Sequence, residues 1–244
     1  MAPVKEHYFD AFRNAFLENI QKRSRTAKGE SHAGVSAAKR PLQKTGEELK
    51  AQVAANTNIL IKRVWDAWWI QPVRDARAIR QMMEAWYDIV QCDLQESDPY
   101  EGERALLTKE ANRLSASTGL PFRINPRYRV WDVSYAGWNP PPAELEIHMD
   151  IFYARLHELI RWGQKEESVW PFILAWADRM MDFVIHPWAD GCGRMSTTTV
   201  MWLALILTDG GPVPEFGTRE KHYFAMKNIA EHAAYFERCL ARWK

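Results

Sequence analysis

Apolar positions recur with helical spacing along much of the chain. In VKEHYFDAFRNAFLENIQK (4–22), Tyr8, Phe9, Phe12, Phe16, Leu17 and Ile20 fall on one face of a helix. The period is lost over RSRTAKGESHAGVSAAKRPLQK (23–44), which is basic, rich in Ser, Ala and Gly, and poor in apolar anchors. That composition predicts a mobile connection with room for a short helix, solvated more readily than bound to phosphate. Helical spacing returns from Glu47 to Trp69, and Pro72 is suited to open another helix running to about Leu94. Ser97-Asp98-Pro99 ends that helix, and a further one fits 101–117.

Between Phe122 and Trp138 the pattern changes. FRINPRYRVWDVSYAGW carries β-branched and aromatic residues, alternates at Tyr128, Val130 and Asp132, and has a turn signal at Gly137. A hairpin is expected there, closed by Asn139-Pro140-Pro141-Pro142. Helices then fit about 143–163, 168–184 and Arg194–Thr208, with Asp209-Gly210-Gly211-Pro212 as a stop and a last helix over 218–242. The expected fold class is all-α with one hairpin and no internal repeat. Residues 1–45 form an N-terminal helix and basic segment, and 46–244 form the main domain.

Composition adds limits rather than a function. The 244 residues are 47% apolar and 26% charged, the balance of a globular domain, and 12 Trp supply large buried surfaces. Trp65, Trp68 and Trp69, with Met82, Met83 and Trp86, are expected to be helix–helix packing. Net charge is +1, so nothing global selects nucleic acid or a membrane surface. No apolar run approaches the ~18 residues of a membrane helix, and MAPVKEHYFDAFRNAF is amphipathic, unlike a signal peptide. Cys92, Cys192 and Cys239 are odd in number and widely spaced, with neither a metal-pair nor a disulfide pattern. A cytoplasmic location is expected, or export as an effector by a route that leaves no such signal.

The chemistry concentrates in HPWADGCGRMST (186–197). A glycine-rich turn opening a helix points backbone N–H groups and a helix dipole at an anion. Gly191 and Gly193 let the chain approach a phosphate closely, and Arg194 can grip phosphate oxygens. Asp190 is a hard oxygen ligand suited to Mg²⁺. His186 titrates near neutrality and can take a proton from a hydroxyl. Five such groups within nine residues point to transfer of a phosphate-bearing group, beyond what a helix–turn–helix connection with a buried histidine requires.

HPWADGCGR resembles the HPFx(D/E)GNGRxxR signature of the Fic family. The likeness extends from about Phe122 to Gly211, through the flap-like FRINPRYRVWDVSYAGW, the NPPPAEL break, two helices, the motif and the apolar MSTTTVMWLALIL. The resemblance implies a Fic-type helical bundle with a β-hairpin flap. It implies transfer of a nucleotidyl group, most often AMP from ATP, to a Ser, Thr or Tyr hydroxyl of a target protein. By that likeness His186 is the general base and Asp190 the Mg²⁺ ligand. Backbone amides of Gly191, Cys192 and Gly193 form the anion hole, and Arg194 holds the distal phosphates. A flap of Arg129, Val130, Trp131, Asp132 and Val133 aligns the target segment by strand addition. Trp188, at the family's Phe position, anchors the core. The expected partners are a nucleotide and a target protein, without membrane or specific nucleic acid, and a homodimer is allowed.

Two positions depart from the signature: Cys192 stands for its Asn and Thr197 for its second Arg. Losing a charge-assisted contact to a terminal phosphate costs about 1.5–3 kcal/mol. Three explanations fit: a diphosphate-conjugate donor, a slow or degenerate enzyme, or another cation such as Arg127, Arg129 or a basic residue of 22–44. The readings left open are a non-catalytic binding module with a Fic fold and an enzyme acting on a small-molecule hydroxyl. A thiol at a helix N-terminus can be reactive, but no local pattern supports Cys–His catalysis. Thr26–Ser31 and Ser97–Gly102 resemble the family's inhibitory (S/T)xxxE(G/N) pattern, although Thr197 removes the usual partner of its Glu. His148, His157, His222 and His232 carry no assigned role.

Overall fold

The protein is described by a computed structural model covering residues 3–26, 46–70, 73–94, 100–134, 138–210 and 228–241. Its helices are α1 (Pro3–Thr26), α2 (Gly46–Ile70), α3 (Ala76–Gln91), α4 (Glu101–Thr118), α5 (Leu145–Gly163), α6 (Trp170–Arg179), α7 (Cys192–Leu207) and α8 (Ile229–Ala241). The all-α class expected from the periodicity is what forms.

The helix after the motif is the centre of the bundle. In CGRMSTTTVMWLALIL only Arg194 is charged, and side chains on every face of α7 are buried. A helix apolar all round needs neighbours all round, and α1, α2, α3, α5 and α6 all pack against α7. Its polar Ser196, Thr197, Thr198 and Thr199 are buried too. The three threonines return their hydroxyls to the carbonyl four residues back, at 2.8–2.9 Å, so no hydroxyl of that run is buried without an acceptor. At the far end the chain turns through Gly210 with φ +72°, where a Cβ would land inside the Trp68 ring. Only glycine fits there.

α1 packs on α2 and α7 through Phe12 and Phe16, with Phe9 edge-on to Trp65 at 5.5 Å. Tyr8 and Trp69 are exposed, so the packing stripes are narrower than expected by those two residues. The third helix starts at Ala76, later than Pro72. Asp75 has an extended backbone and its carboxylate accepts the Ala78 N–H at 2.8 Å, so a side-chain cap fixes the start. α5 follows a single tight turn at Pro142–Glu144, and α6 passes at Met180–Ile185 into a wider π-type turn. That departure from α-geometry delivers the chain to the motif, and such wide turns recur at functional positions.

Among the described residues of 122–138 no ladder joins two arms of a hairpin. The segment instead pairs with the motif: Tyr128 and Trp188 form an antiparallel bridge, and the Arg129 N–H donates to Pro187 O at 2.8 Å. A local turn sets this up, with Asn125 Oδ1 accepting from the Arg127 N–H and Asn125 O from the Tyr128 N–H. The hairpin tip (135–137), the basic segment from residue 27 to 45, residues 27–31 and 97–99 of the two inhibitory patterns and the start of the last expected helix (218–227) lie outside the described residues.

Candidate functional site

The motif opens on a strained residue. His186 has φ 45° and ψ 59°, a left-handed conformation that costs a residue with a Cβ on the order of 1–3 kcal/mol unless its surroundings impose it. Each carbonyl from Asp182 to Trp188 meets a specific donor. His186 Nδ1 bonds Asp182 O at 2.7 Å. Asn139 Nδ2 donates to Phe183 O and Val184 O at 2.6 and 2.8 Å. Arg129 donates through Nη2 to Ile185 O at 3.4 Å and through Nε to His186 O at 2.8 Å. Pro187 O takes the Arg129 amide, and Trp188 O takes the Cys192 thiol at 3.4 Å.

The imidazole state follows from the same contacts. A carbonyl facing Nδ1 requires that nitrogen to carry the proton, so Nε2 keeps the lone pair. Burial is the largest influence on its titration and pushes the pKa below the ordinary 6.5, against an upward pull from Asp182. A neutral ring with a basic Nε2 is the form a proton acceptor needs at neutral pH.

Asp190 and Arg194 lie across the turn at the start of α7. Their side chains pair at 2.9 Å, and Arg194 Nη1 also donates to Val90 O at 3.1 Å. Gly191 has φ +81°, and a Cβ there would sit 2.9 Å from Gln91 Nε2 and 3.1 Å from Val90 Cγ1. Glycine is required by both conformation and space. The Gln91 amide ties this turn to α3 by donating to Asp190 O at 3.1 Å. The first helical hydrogen bond is Met195 N–H to Gly191 O, so the amides of Cys192, Gly193 and Arg194 precede the ladder. Those are the donors a helix start offers to an anion.

Beneath the turn, Trp188 is fully buried. It stacks on Tyr87 with centroids 4.2 Å apart and meets Tyr128 edge-on at 5.1 Å. The anchoring role expected from its position is what this packing performs.

Several expected residues are placed differently. Arg129 is 1% exposed, and its guanidinium is spent on the carbonyls of Ile185, His186, Trp131 and Pro140. It is a clamp on the motif, and its side chain does not stand in as a phosphate-binding cation. Arg127 is held bidentately by Asp88, with both contacts at 2.8 Å. Cys192 Sγ turns inward, and burial pushes its thiol well above the ordinary range, opposite to the shift a nucleophilic thiolate needs. Thr197 is buried with its hydroxyl on Gly193 O at 2.9 Å. Val130, Trp131 and Val133 are half-buried and Asp132 is exposed, with Trp131 edge-on to Tyr100 at 5.1 Å.

Two single residues and one buried cluster carry weight that the sequence did not announce. Asn139 is the first residue of a proline-rich break, which reads as a loop and not as a clamp. Gln91 sits at a helix end 99 residues from its acceptor. His232 and Asp178 form a buried pair at 3.1 Å, and Ser196 Oγ donates to the same carboxylate, joining α6, α7 and α8. Among the described residues no three His, Cys, Asp or Glu side chains form a metal cradle. No family model matches the chain, and no curated protein and no solved structure matches it either.

Proposed function

We propose that the protein is a Fic-type transferase that moves a nucleotidyl, or related phosphate-linked, group from a nucleotide donor to a hydroxyl of a target protein. The observation that carries this reading is the imidazole of His186, held neutral with Nε2 as its basic nitrogen, beside a helix start that offers amides, a carboxylate and a guanidinium. His186 Nε2 accepts the proton of a Ser, Thr or Tyr hydroxyl as its oxygen bonds to phosphorus. The bond from phosphorus to the leaving phosphate, or its equivalent, breaks in the same exchange. The amides of Gly191, Cys192 and Gly193 bind phosphate oxygens, and Arg194 holds the distal phosphate once it exchanges Asp190 for the donor.

Asp190 and the donor phosphates are the ligands that would hold Mg²⁺, an ion that accepts one or two carboxylates beside phosphate oxygens and there neutralises their charge. Residues 129–133 follow the Tyr128–Trp188 bridge and would supply the edge against which an extended target lies, with the hairpin flap as its completed form. ATP is the first donor to test.

A second reading has its own support. Cys192 and Thr197 both spend their side chains inside the protein, leaving fewer phosphate contacts than the family signature supplies. That favours a nucleotide-binding module without transfer.

Intact-mass spectrometry after incubation with Mg²⁺ and ATP, GTP, UTP, CTP, CDP-choline or a nucleotide-sugar separates the two. Candidate target protein is present, small-molecule products are followed in the same samples, and His186→Ala runs in parallel. A mass increment or donor cleavage in wild type alone supports transfer. Binding without turnover supports the module, and equal turnover in His186→Ala removes the histidine from the role of base.

A further inference from the structure

The two residues that bracket the 130–138 segment, Arg129 and Asn139, converge on one target: the carbonyls that flank His186. Arg129 is almost fully buried, and its guanidinium reaches Ile185 O, His186 O, Pro140 O and Trp131 O. Asn139 covers Phe183 O and Val184 O with a single amide nitrogen. In an uninterrupted helix these carbonyls would accept amides one turn ahead, and the chain would pass His186 in right-handed geometry. Here the helix widens at Met180–Ile185 and the backbone flips at His186. Donors from another segment satisfy the acceptors that this flip leaves outside a regular ladder.

We infer that Arg129 and Asn139 are positioning residues for His186: they hold its backbone left-handed, so that Nδ1–H points at Asp182 O and Nε2 is the basic nitrogen. The inference depends on the proposed role of His186 only for the word positioning. The geometric content is read on the imidazole itself.

The backbone at His186 is over-determined by these donors. A left-handed histidine persists only where its neighbours impose it. The Asp182 carbonyl lies four residues back, so the side chain can reach it only while the intervening turn keeps its wide form. Removing donors from the Phe183, Val184, Ile185 and His186 carbonyls frees that turn to re-form regular helix. Such a turn rotates the imidazole away from Asp182 O and toward solvent. The charged groups that act on the ring are Asp182 on its own turn, Arg129 on the bracketing segment and Asp190 before α7. Arg129 lowers the imidazole's proton affinity, as burial does, while the two carboxylates raise it.

The test reads tautomer and titration by long-range ¹H–¹⁵N correlation of the histidine rings in the full-length chain. There are seven histidines, and the spectrum of His186→Gln assigns the ring of interest. In wild type, His186 is expected as a single Nδ1–H tautomer titrating below 6.5. In Asn139→Ala and in Arg129→Lys, the Nε2–H tautomer is expected to appear and the titration to move up toward about 6.5, the value of a free imidazole. General loss of stability does not by itself change the tautomer of the folded population, so this readout separates positioning from support.

An Nε2–H tautomer in wild type overturns the inference, as do unchanged tautomer and titration in the folded variants. Where Arg129→Lys does not fold, Asn139→Ala decides, because Asn139 is only half-buried in a loop. Equal turnover by His186→Ala would remove the catalytic base and leave the tautomer result intact, so the two failures are distinguishable.

Discussion

Trp188 offers the sharpest test of how the motif is fixed to the core. Its side chain is 0% exposed, stacked on Tyr87 and edge-on to Tyr128. Truncating a fully buried tryptophan to alanine costs about 3–5 kcal/mol, and the lost ring contacts place Trp188→Ala toward the upper end of that range. Against a total stability of about 5–15 kcal/mol, such a loss leaves the fold marginal. Trp188→Phe is different. A phenyl ring keeps the stack on Tyr87, while the removed part of the indole includes Nε1, which is buried without a hydrogen-bond partner among the described residues. Relief of that unmet donor returns about 1–3 kcal/mol. The cavity left behind costs roughly 24 cal/mol for each Å³ that does not collapse. These terms oppose each other at similar size, so Trp188→Phe is expected to lie within about 1 kcal/mol of wild type. Urea unfolding followed by circular dichroism measures both variants. If Phe costs as much as Ala, the indole N–H is satisfied and the balance is wrong. If Ala costs under about 1 kcal/mol, the motif does not hang on this side chain at all.

Other outcomes follow from the same contacts. Asp178→Ala removes the buried carboxylate that His232 and Ser196 share and is expected to cost about 3–5 kcal/mol, read as a lower urea midpoint, with loss of α8 protection in hydrogen exchange. Burial holds His186 below 6.5, so between its folded and unfolded pKa values the unfolded chain binds more protons, and stability falls as pH drops through that window. The stability difference between wild type and His186→Asn should therefore change with pH below 6.5 and be flat above it; a slope confined to higher pH would contradict the buried neutral ring. If His186 is the base, transfer falls on the acid side with a midpoint below 6.5, and a midpoint above it would argue against that role.

The helices were legible because their causes are local. Among the described residues the alternation expected over 122–138 does not hold at its centre, where the neighbours Tyr128 and Arg129 are both buried and Asp132 is exposed, and the one bridge formed there is to the motif at Trp188, 60 residues later. Period-two patterning reports that a strand has a buried face and does not say what it pairs with. The start of α3 was missed for a related reason. Proline tolerance at N1 is permissive, whereas the Asp75 cap makes an actual bond.

The site was legible in kind but not in allegiance. Spacing alone put His186, Asp190, Gly191 and Arg194 together, because all four lie within one turn and the helix it opens. Residue type suggested that Arg129 was a surface cation available to a target or a phosphate. Burial reverses that: a guanidinium with four carbonyl acceptors and 1% exposure has its donors committed inside the protein. A charged side chain is buried only where its donors are met, and here the acceptors exist because the chain abandons regular helix at Met180. The same exchange explains Asn139, whose amide lies in a proline-rich break yet closes the turn from the other side. The departure that turns His186 left-handed thus creates the need for Arg129 and Asn139. Neither half of that dependence is visible until the two segments are seen in contact.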